Sequence, residues 1–252
     1  MKTNRILTAL MLALAASGAQ AALLSDLIQG GSITAGDKVF DDWNVSLNMS
    51  TGSAVNLSLI DVTPINGGGM NPGPGLHFVA LEGALNITGS DGNYNFLDLQ
   101  LGFRVTPTVS GNLINGASMA DLAAFLQWQG QDRSQGDNGS YIQEWIGTTP
   151  GGNDLVDWMH QEFSALGGPE NIVEQLSDSS VFLPQGSIYV TKDVLVWATG
   201  AGGDLAPQLT EQAGIYSFNQ RFAQTTSVPE PATLALFGLG LLGLGLARVR
   251  LA

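Results

Sequence analysis

Cysteine is absent from this chain of 252 residues, and basic residues are scarce. Without cysteine the chain forms no disulfide, no thiolate metal site and no cysteine nucleophile. Nine lysines and arginines stand against 22 aspartates and glutamates, which gives a formal net charge of −13. Because lysine and arginine supply the contacts to phosphate backbones, we expect no nucleic acid among the partners. The hydrophobic fraction of 44% excludes a wholly disordered chain.

Recognisable catalytic and metal-binding motifs are also missing. The chain has two histidines, His77 and His160, and neither lies in an H-E-x-x-H motif. No G-x-S-x-G motif is present. The glycine-rich stretch 67–75 lacks the Gly-Lys-Ser/Thr ending of a phosphate-binding loop and contains two prolines. We therefore expect no enzyme activity, no cofactor and no metal, and we expect each histidine to be an ordinary strand or surface residue.

The first 21 residues have the three parts of a secretory signal peptide. A positively charged start leads into an apolar run over residues 6–16, and Ala19 and Ala21 stand at the −3 and −1 positions of a cleavage site before Ala22. The run is shorter than the about 20 residues that a spanning helix needs, which favours cleavage over an uncleaved anchor. We predict export by a Sec-type machinery and a mature chain that begins at Ala22.

The C-terminal end carries a second apolar run. Residues 232–247 are apolar and are followed by Arg248 and Arg250. As a helix this run is about 24 Å long, somewhat short of a hydrocarbon core of about 30 Å. Local thinning of the bilayer or extension of the arginine side chains to the interface closes that gap. Because the arginines stay on the cytoplasmic side, the body upstream is expected outside the inner membrane. An anchor that is never processed is the alternative.

The four residues that directly precede this run are Val228, Pro229, Glu230 and Pro231. Together with the apolar helix and the basic tail, they make residues 225–252 resemble the PEP-CTERM sorting signal of Gram-negative bacteria. The resemblance implies that an exosortase, a membrane protease-transpeptidase, recognises the signal and removes the tail. It also implies a precursor anchored in the inner membrane and then a protein at the cell surface or outside the cell, often associated with exopolysaccharide and biofilm.

Between the two ends, residues 22–224 are expected to form one exported β-rich domain. Apolar alternation is strictest over residues 96–105, where every second residue from Leu97 to Val105 is apolar. Further short strands are predicted at residues 55–59, 76–80, 85–87, 187–190, 194–197 and 215–222. Short strands separated by turn signals predict an antiparallel β-sandwich with a jelly-roll-like arrangement.

A small helical insertion is predicted at about residues 117–176. Within residues 118–129, one helical face contains Leu122, Phe125, Leu126 and Gln129. Within residues 154–166, a second stripe at i, i+3 and i+4 spacing contains Leu155, Trp158, Met159, Glu162, Phe163 and Leu166. The five tryptophans, 43, 128, 145, 158 and 197, are expected by default to pack in the core or between helices.

Three classes of function stay open for the body. The first is a structural or interaction component of the envelope or extracellular matrix, linked to exopolysaccharide and biofilm. The second is a carbohydrate-binding module that uses exposed tryptophans and acidic rims. The third is an exported hydrolase. Tryptophans and carboxylates facing a common groove would favour the second class, whereas a histidine beside a serine, or two carboxylates in a pocket, would favour the third.

Overall fold

Two antiparallel sheets make up nearly all of the described chain, which comprises residues 21–89, 93–128, 137–199 and 211–226 of a computed structural model. The only α-helix in these ranges is the short α1 (Leu24–Ile28), and 3-10 turns cover Leu57–Leu59 and Leu81–Gly83. No helix among the described residues is long and apolar enough to cross a membrane. The predicted span 232–247 and residues 1–20 of the predicted signal peptide lie outside the described residues.

The first sheet contains seven of the described strands and is ordered β1–β4–β5–β14–β8–β12, with β6 also paired to β14. Its strands are β1 (Ala22–Leu23), β4 (Ile60–Ile65), β5 (Gly75–Ala80), β6 (Asn86–Gly89), β8 (Asn112–Trp128), β12 (Asp178–Gln185) and β14 (Glu211–Thr226). The long strand β14 is central. It pairs with β8 along most of its length, and its two halves pair with β6 and β5 on the other side.

The second sheet also contains seven described strands, in the order β11–β10–β9–β13–β7–β3–β2. These strands are β2 (Ile33–Ala35), β3 (Lys38–Ser50), β7 (Tyr94–Pro107), β9 (Asn138–Gly147), β10 (Val156–Ala165), β11 (Ile172–Gln175) and β13 (Ile188–Thr199). In its centre β13 pairs in continuous register with β7 on one side and β9 on the other. This regular pairing fixes which side chains lie beside one another on each face.

The two sheets face each other across a layer of apolar side chains. The alternating residues of β7, from Leu97 to Val105, are all at most 3% exposed, as their pattern predicts. Phe40 and Phe103 of the second sheet contact Phe222 of the first sheet, with ring centroids 5.8 and 6.4 Å from it. Trp43 is buried in the same layer and stacks on Phe103 at 4.7 Å. The predicted antiparallel β-sandwich is thus confirmed.

The predicted helical insertion is wrong, because its two helices are the strands β8 and β10. In β8, Asp121 and Leu122 together oppose a single residue of β14. Asp121 has a positive φ of 53°. Such a β-bulge adds one residue to the strand and shifts the alternation. The buried Met119 and Leu122 therefore stand three residues apart, a spacing that is also typical of a helix.

The second misassigned segment has the same physical cause. The register of β10 shifts between Val156 and Met159, with two residues of β10 opposite one of β9. Val156 and Met159 are both buried, so the apolar residues again follow each other at i, i+3. A smaller error concerns residues 55–59, predicted as a strand, in which residues 57–59 form a 3-10 turn. The described parts of this segment, residues 117–128 and 137–176, belong to the sandwich.

Candidate functional site

The outer face of the second sheet concentrates aromatic and acidic side chains. On β13 the inward residues alternate with Tyr189, Asp193, Leu195 and Trp197, which therefore lie on the outer side. The register places Asp193 between Gln143 of β9 and Gln100 of β7. Outward positions of the neighbouring strands add three further aromatic side chains, Tyr141, Trp145 and Phe96.

Three rings near the edge of this face form a continuous stack, which we name the aromatic cluster: Tyr141, Trp158 and His160. The indole of Trp158 lies 4.2 Å from the His160 ring at an interplanar angle of 18°. His160 in turn stacks on Tyr141, with centroids 5.6 Å apart. Trp158 Nε1 donates a hydrogen bond to Tyr141 Oη at 3.0 Å. The cluster is held rigidly, yet Trp158 remains 53% exposed.

Local backbone geometry explains why the sequence presents these rings outward. The bulge after Val156 turns Asp157 and Trp158 to solvent before Met159 returns to the core. The His160 main-chain N–H then donates to Asp178 Oδ2 at 2.9 Å, which ties this edge of the second sheet to β12 of the first. Burial raises the pKa of the Tyr141 hydroxyl, so Tyr141 stays a neutral partner of the indole.

A flat apolar surface continues from the aromatic cluster towards the centre of the sheet. A side chain at Gly139 would collide with the Trp197 ring and with Ser164, so the indole lies directly over the glycine backbone. Trp197 is half-buried in this position. Glycine at 139 is therefore required for Trp197 to lie flat against the sheet, because only a missing Cβ permits so close an approach.

Two carboxyl groups, Asp98 and Asp193, lie side by side on the same face; we name them the carboxyl pair. Asp98 is registered opposite Leu195, one outward position along β13 from Asp193. Burial, and next the hydrogen bond and charge of Asp98, raise the pKa of Asp193 to about 7. Oδ1 of each carboxyl is buried without a hydrogen-bond partner among the described residues. Near neutral pH the carboxyl pair therefore shares a proton and can donate and accept hydrogen bonds.

The outer face of the first sheet bears a different arrangement, a groove with a volume of about 780 Å³. His77 Nδ1–H donates to Asn219 Oδ1 at 2.6 Å, and Asn219 Nδ2 donates to Asp121 Oδ2 at 2.6 Å. Arg221 lines the groove and donates to the Gly67 carbonyl at 3.1 Å. Within the described residues no serine hydroxyl is hydrogen-bonded to His77, so this chain of contacts contains no activated nucleophile.

Among the described residues, potential metal ligands are not clustered on either face. In the ranges that the structure describes, no group of three or more histidine or acidic side chains is arranged to hold a metal ion. The two histidines lie on different sheets, His77 on β5 and His160 on β10. Each is engaged with a neighbour in its own sheet, His77 with Asn219 and His160 with Trp158.

The residues predicted to direct export and sorting lie at the margins of the described chain. Outside it are Ala19, Val228, Pro229, Glu230, Pro231, Arg248 and Arg250. Ala21 is exposed and precedes β1, and Ala22, the predicted first residue of the mature chain, is the first residue of β1. Ala22 pairs with Val62 of β4. Cleavage before Ala22 would therefore leave the sandwich complete.

Sequence reasoning did not identify the residues of the aromatic cluster and the carboxyl pair as a common site. The sequence does indicate that Asp98 and Asp193 lie on outward faces, because each alternates with apolar residues of a strand, Asp98 on β7 and Asp193 on β13. What was missing was the pairing of β9, β7 and β13, since partners distant in sequence cannot be read from local alternation. Trp158 was expected to pack in a helix, and it is instead an exposed strand residue.

Comparison with known proteins identifies the C-terminal signal. Residues 227–250 match the PEP-CTERM protein-sorting motif. The chain thus carries the sorting motif predicted from Val228 to Pro231 and the arginine tail, and it is an exported protein targeted to an exosortase. The match covers the sorting motif only and leaves the sandwich without a family. No curated protein matches the chain.

Solved structures similar to this chain include two from studies of carbohydrate-binding modules. One, named TmCBM61 and solved with β-1,4-galactotriose, has 13% identity and a TM-score of 0.24, and the match covers 72% of this chain and 88% of that one. The other comes from work on promiscuous modules of the β-sandwich superfamily, with 12% identity, a TM-score of 0.19, and coverage of 83% and 63%. At these TM-scores neither likeness bears on the function of this chain.

Proposed function

We propose that this exported, exosortase-targeted protein is a non-catalytic matrix component whose sandwich binds polysaccharide on the outer face of the second sheet. The observation that carries the proposal is the aromatic cluster, a rigid stack of three rings that leaves Trp158 53% exposed. A large exposed indole held in one orientation offers a flat, electron-rich face to a partner. The C–H-rich face of a sugar ring is complementary to such a surface.

The polar groups beside the rings suit hydroxyl-rich ligands. Gln100, Gln143 and the carboxyl pair occupy neighbouring outward positions on β7, β9 and β13. Amide and partly protonated carboxyl groups both donate and accept hydrogen bonds, which matches the capacity of sugar hydroxyls. The net charge of −13 disfavours polyanions. We therefore infer a neutral or amino-sugar polysaccharide as the ligand class.

A hydrolase is disfavoured by the arrangement of the carboxyl pair. Glycosidases place their two carboxyl groups about 5–5.5 Å apart, or about 6.5–9.5 Å when a water must fit between them. Asp98 and Asp193 instead occupy adjacent outward positions on β7 and β13, close enough for Asp98 to raise the pKa of Asp193. That proximity leaves no room for a glycosidic bond between them. We propose a binding role for the pair rather than a catalytic one.

The binding face is tested by a matched pair of substitutions. Trp158→Ala removes the exposed ring of the aromatic cluster, whereas Tyr216→Ala removes an equally exposed ring, also 53%, that stacks on Phe125 in the first sheet. The full chain and both variants are run in native gels that contain the neutral exopolysaccharide of the producing bacterium. We expect Trp158→Ala to weaken retardation about tenfold, an effect of about 1.4 kcal/mol, and Tyr216→Ala to leave it unchanged. Equal retardation of all three proteins would refute the face assignment.

The sorting part of the proposal has a separate test. From the sequence we expect Pro229 and Pro231 to favour an extended segment, because proline fixes φ and disfavours the helical region at Glu230. We propose that exosortase reads this extended segment at the outer surface of the inner membrane. Replacing Pro229, Glu230 and Pro231 by Ala should leave export intact and trap an uncleaved precursor in the inner membrane fraction. If the triple variant leaves the membrane like the parent, the tail is a plain anchor or an incidental apolar end.

A further inference from the structure

Three polar side chains are sealed in the apolar core between the sheets; we name them the inner site: Lys192, Glu144 and Gln220. Each of them is 0% exposed. Lys192 of β13 and Glu144 of β9 are direct cross-strand partners in the second sheet. Gln220 reaches them from β14 of the first sheet. The inner site therefore bridges the two layers of the sandwich.

Each of the three groups contacts the other two. Lys192 Nζ donates to Glu144 Oε2 and to Gln220 Oε1, the latter at 2.5 Å. Gln220 Nε2 donates to the other carboxyl oxygen, Glu144 Oε1, at 3.1 Å. Because a carbonyl bond is about 1.2 Å long, the lysine nitrogen lies no more than about 3.7 Å from Gln220 Cδ. Near-attack geometries in enzymes have about this separation.

The surroundings favour uncharged forms of both ionisable groups. The Phe218 ring lies 5.7 Å from Lys192 Nζ and itself stacks on Phe78. Burial lowers the pKa of Lys192, and burial raises the pKa of Glu144. A proton shared between them can therefore pass from the ammonium to the carboxylate at little cost, which leaves a neutral amine and a neutral acid. A neutral amine is the nucleophilic form of lysine.

From this geometry we propose that Lys192 and Gln220 become joined by an intramolecular isopeptide bond in the folded protein, with Glu144 as the catalytic residue that moves the protons. The bond is an amide between Lys192 Nζ and Gln220 Cδ. It links β13 to β14 and so ties the two sheets together covalently. No co-reactant is needed, because the three side chains supply every atom involved.

The step balances in atoms and charge. Glu144 takes a proton from the Lys192 ammonium through Oε2, and the amine lone pair attacks Gln220 Cδ. Glu144 then gives its proton to Gln220 Nε2, which lies beside Oε1, and accepts a second proton from Lys192 Nζ. The Cδ–Nε2 bond breaks and one ammonia leaves. The products are a secondary amide, ammonia and a neutral Glu144, so no charged group remains at the inner site.

A second set of the same three groups provides an internal control; we name it the rim site: Lys38, Asp37 and Gln224. Lys38 Nζ lies 3.0 Å from Asp37 Oδ1 and also donates to Gln224 Oε1. The Asp37 side chain is 20% exposed, unlike Glu144. Burial alone would raise the pKa of Asp37, but hydrogen bonds from Lys38, Gln224 and Asn112 together lower it. Asp37 stays a carboxylate and has no proton to give to a leaving amine, so we expect no bond at the rim site.

Peptide mapping of the full-length protein purified from expressing cells tests both expectations in one digest. Folding of the sample is first verified by cooperative thermal unfolding, and the protein is then denatured and cut with trypsin. A bonded Lys192 resists trypsin, so residues 134–221 should appear as one product that lacks the mass of one ammonia. A further chymotrypsin digestion should release a branched peptide that contains Lys192 and Gln220. Cleavage after Lys38 should be complete.

Two conservative variants assign the roles. Glu144→Gln keeps the size of the side chain but cannot shuttle protons, and it should restore cleavage after Lys192 with no loss of ammonia. Asp37→Asn is the matched control at the rim site and should leave the branched peptide unchanged. Retention of the bond in Glu144→Gln would overturn the role of Glu144. Because that variant can fail to fold, the parent protein decides the proposal itself: complete cleavage after Lys192, with both linear peptides at full mass, would overturn it.

Discussion

The inner site and the rim site contain the same three kinds of group, and they differ in the surroundings of the acid. Glu144 is 0% exposed and is contacted only by Lys192 and Gln220 in the hydrogen-bond network of the described residues. Asp37 is partly exposed and accepts an additional hydrogen bond from Asn112 Nδ2 at 2.9 Å. The pKa of the acid is raised at the first site and lowered at the second.

The contrast shows that the composition of a polar cluster does not decide its chemistry. Both sites lie on β14, four residues apart, and both draw their lysine from the second sheet. Loss of water contact favours the neutral acid at the inner site, whereas additional donors and partial hydration keep the carboxylate at the rim. Four predictions test this contrast, in order of decreasing expected effect.

The largest effect is expected from removing the acid of the inner site. Glu144→Ala prevents the covalent bond and also leaves Lys192 buried with only Gln220 as a hydrogen-bond partner, so it should lower the free energy of unfolding by at least about 3–5 kcal/mol. Asp37→Ala at the rim should cost less, about 2–3 kcal/mol, because Lys38, whose side chain is also 0% exposed, keeps Gln224 as a hydrogen-bond acceptor and no covalent bond is lost there. Urea unfolding of both variants, with their midpoints compared at equal slopes, measures the difference. Equal losses would mean that burial does not distinguish the sites.

The second-largest effect is expected from Glu144→Gln, which prevents the covalent bond. This variant preserves the size of the side chain but leaves one acceptor oxygen in place of two, so it removes the link between residues 192 and 220 together with one hydrogen bond. That link closes a loop of 28 residues, and such a closure stabilises by roughly 3–4 kcal/mol, or about 10 °C in Tm for a domain of this size. Differential scanning calorimetry should show this drop for Glu144→Gln and a change below about 3 °C for Asp37→Asn. Matching melting temperatures would argue against a bond.

In the carboxyl pair, the neighbour of the acid is a second acid rather than a lysine, and the pKa of Asp193 is again raised. The pKa of Asp193 is raised to about 7 from its ordinary value of 3.8, so between these two values the folded state holds a proton that the unfolded state has lost. The stabilisation that protonated Asp193 contributes is therefore complete below about pH 4. It is lost as pH rises from about 4 to about 7, and it does not change further above about pH 7. Between about pH 5 and about pH 8, Asp193→Asn should show a smaller fall in Tm than the parent. An identical fall in both proteins would exclude the shared proton.

The smallest change in stability with pH is expected from Asp37 at the rim site. It has the opposite sign to that of Asp193, because the pKa of Asp37 is lowered rather than raised. Because the pKa of Asp37 in the folded state is below its ordinary value of 3.8, the stabilisation by Asp37 is present above that value. It is lost as pH falls through the lower folded pKa. The difference in Tm between the parent and Asp37→Asn should shrink from about pH 5 to about pH 2. A difference that grows on acidification would show that the carboxylate is not stabilised by Lys38.

Sequence patterns predicted the strands that alternate without interruption. Residues 96–105 were correctly assigned because Leu97, Leu99, Leu101, Phe103 and Val105 repeat with a period of two and face one core. The segments at residues 118–129 and 154–166 were assigned to helices because bulges in β8 and β10 place buried residues three apart. A bulge depends on the partner strand, which lies far away in sequence, so the local pattern could not reveal it.

The sequence pattern indicates that two residues of the inner site, Lys192 and Glu144, are buried. Lys192 stands between Val190 and Val194 on the inward face of β13, and Glu144 stands between Ile142 and Ile146 on β9. A charged residue in the apolar register of a strand indicates a buried partner of opposite charge. The pattern identifies neither that partner nor the third member, Gln220.

The sequence by itself determined the sorting motif at the C-terminal end and the β-rich character of the body. A short contiguous segment specifies sorting, because the PEP-CTERM motif is read along the chain, and the signal peptide predicted at residues 1–21 is a local pattern of the same kind. The absence of cysteine excluded disulfides in the same direct way. Only the tertiary structure brought Lys192 to Glu144 and Gln220, which are 48 and 28 residues away, and Tyr141 to Trp158. Strand order and register set these contacts, and both are fixed by the packing of two sheets against one core rather than by any local run of residues.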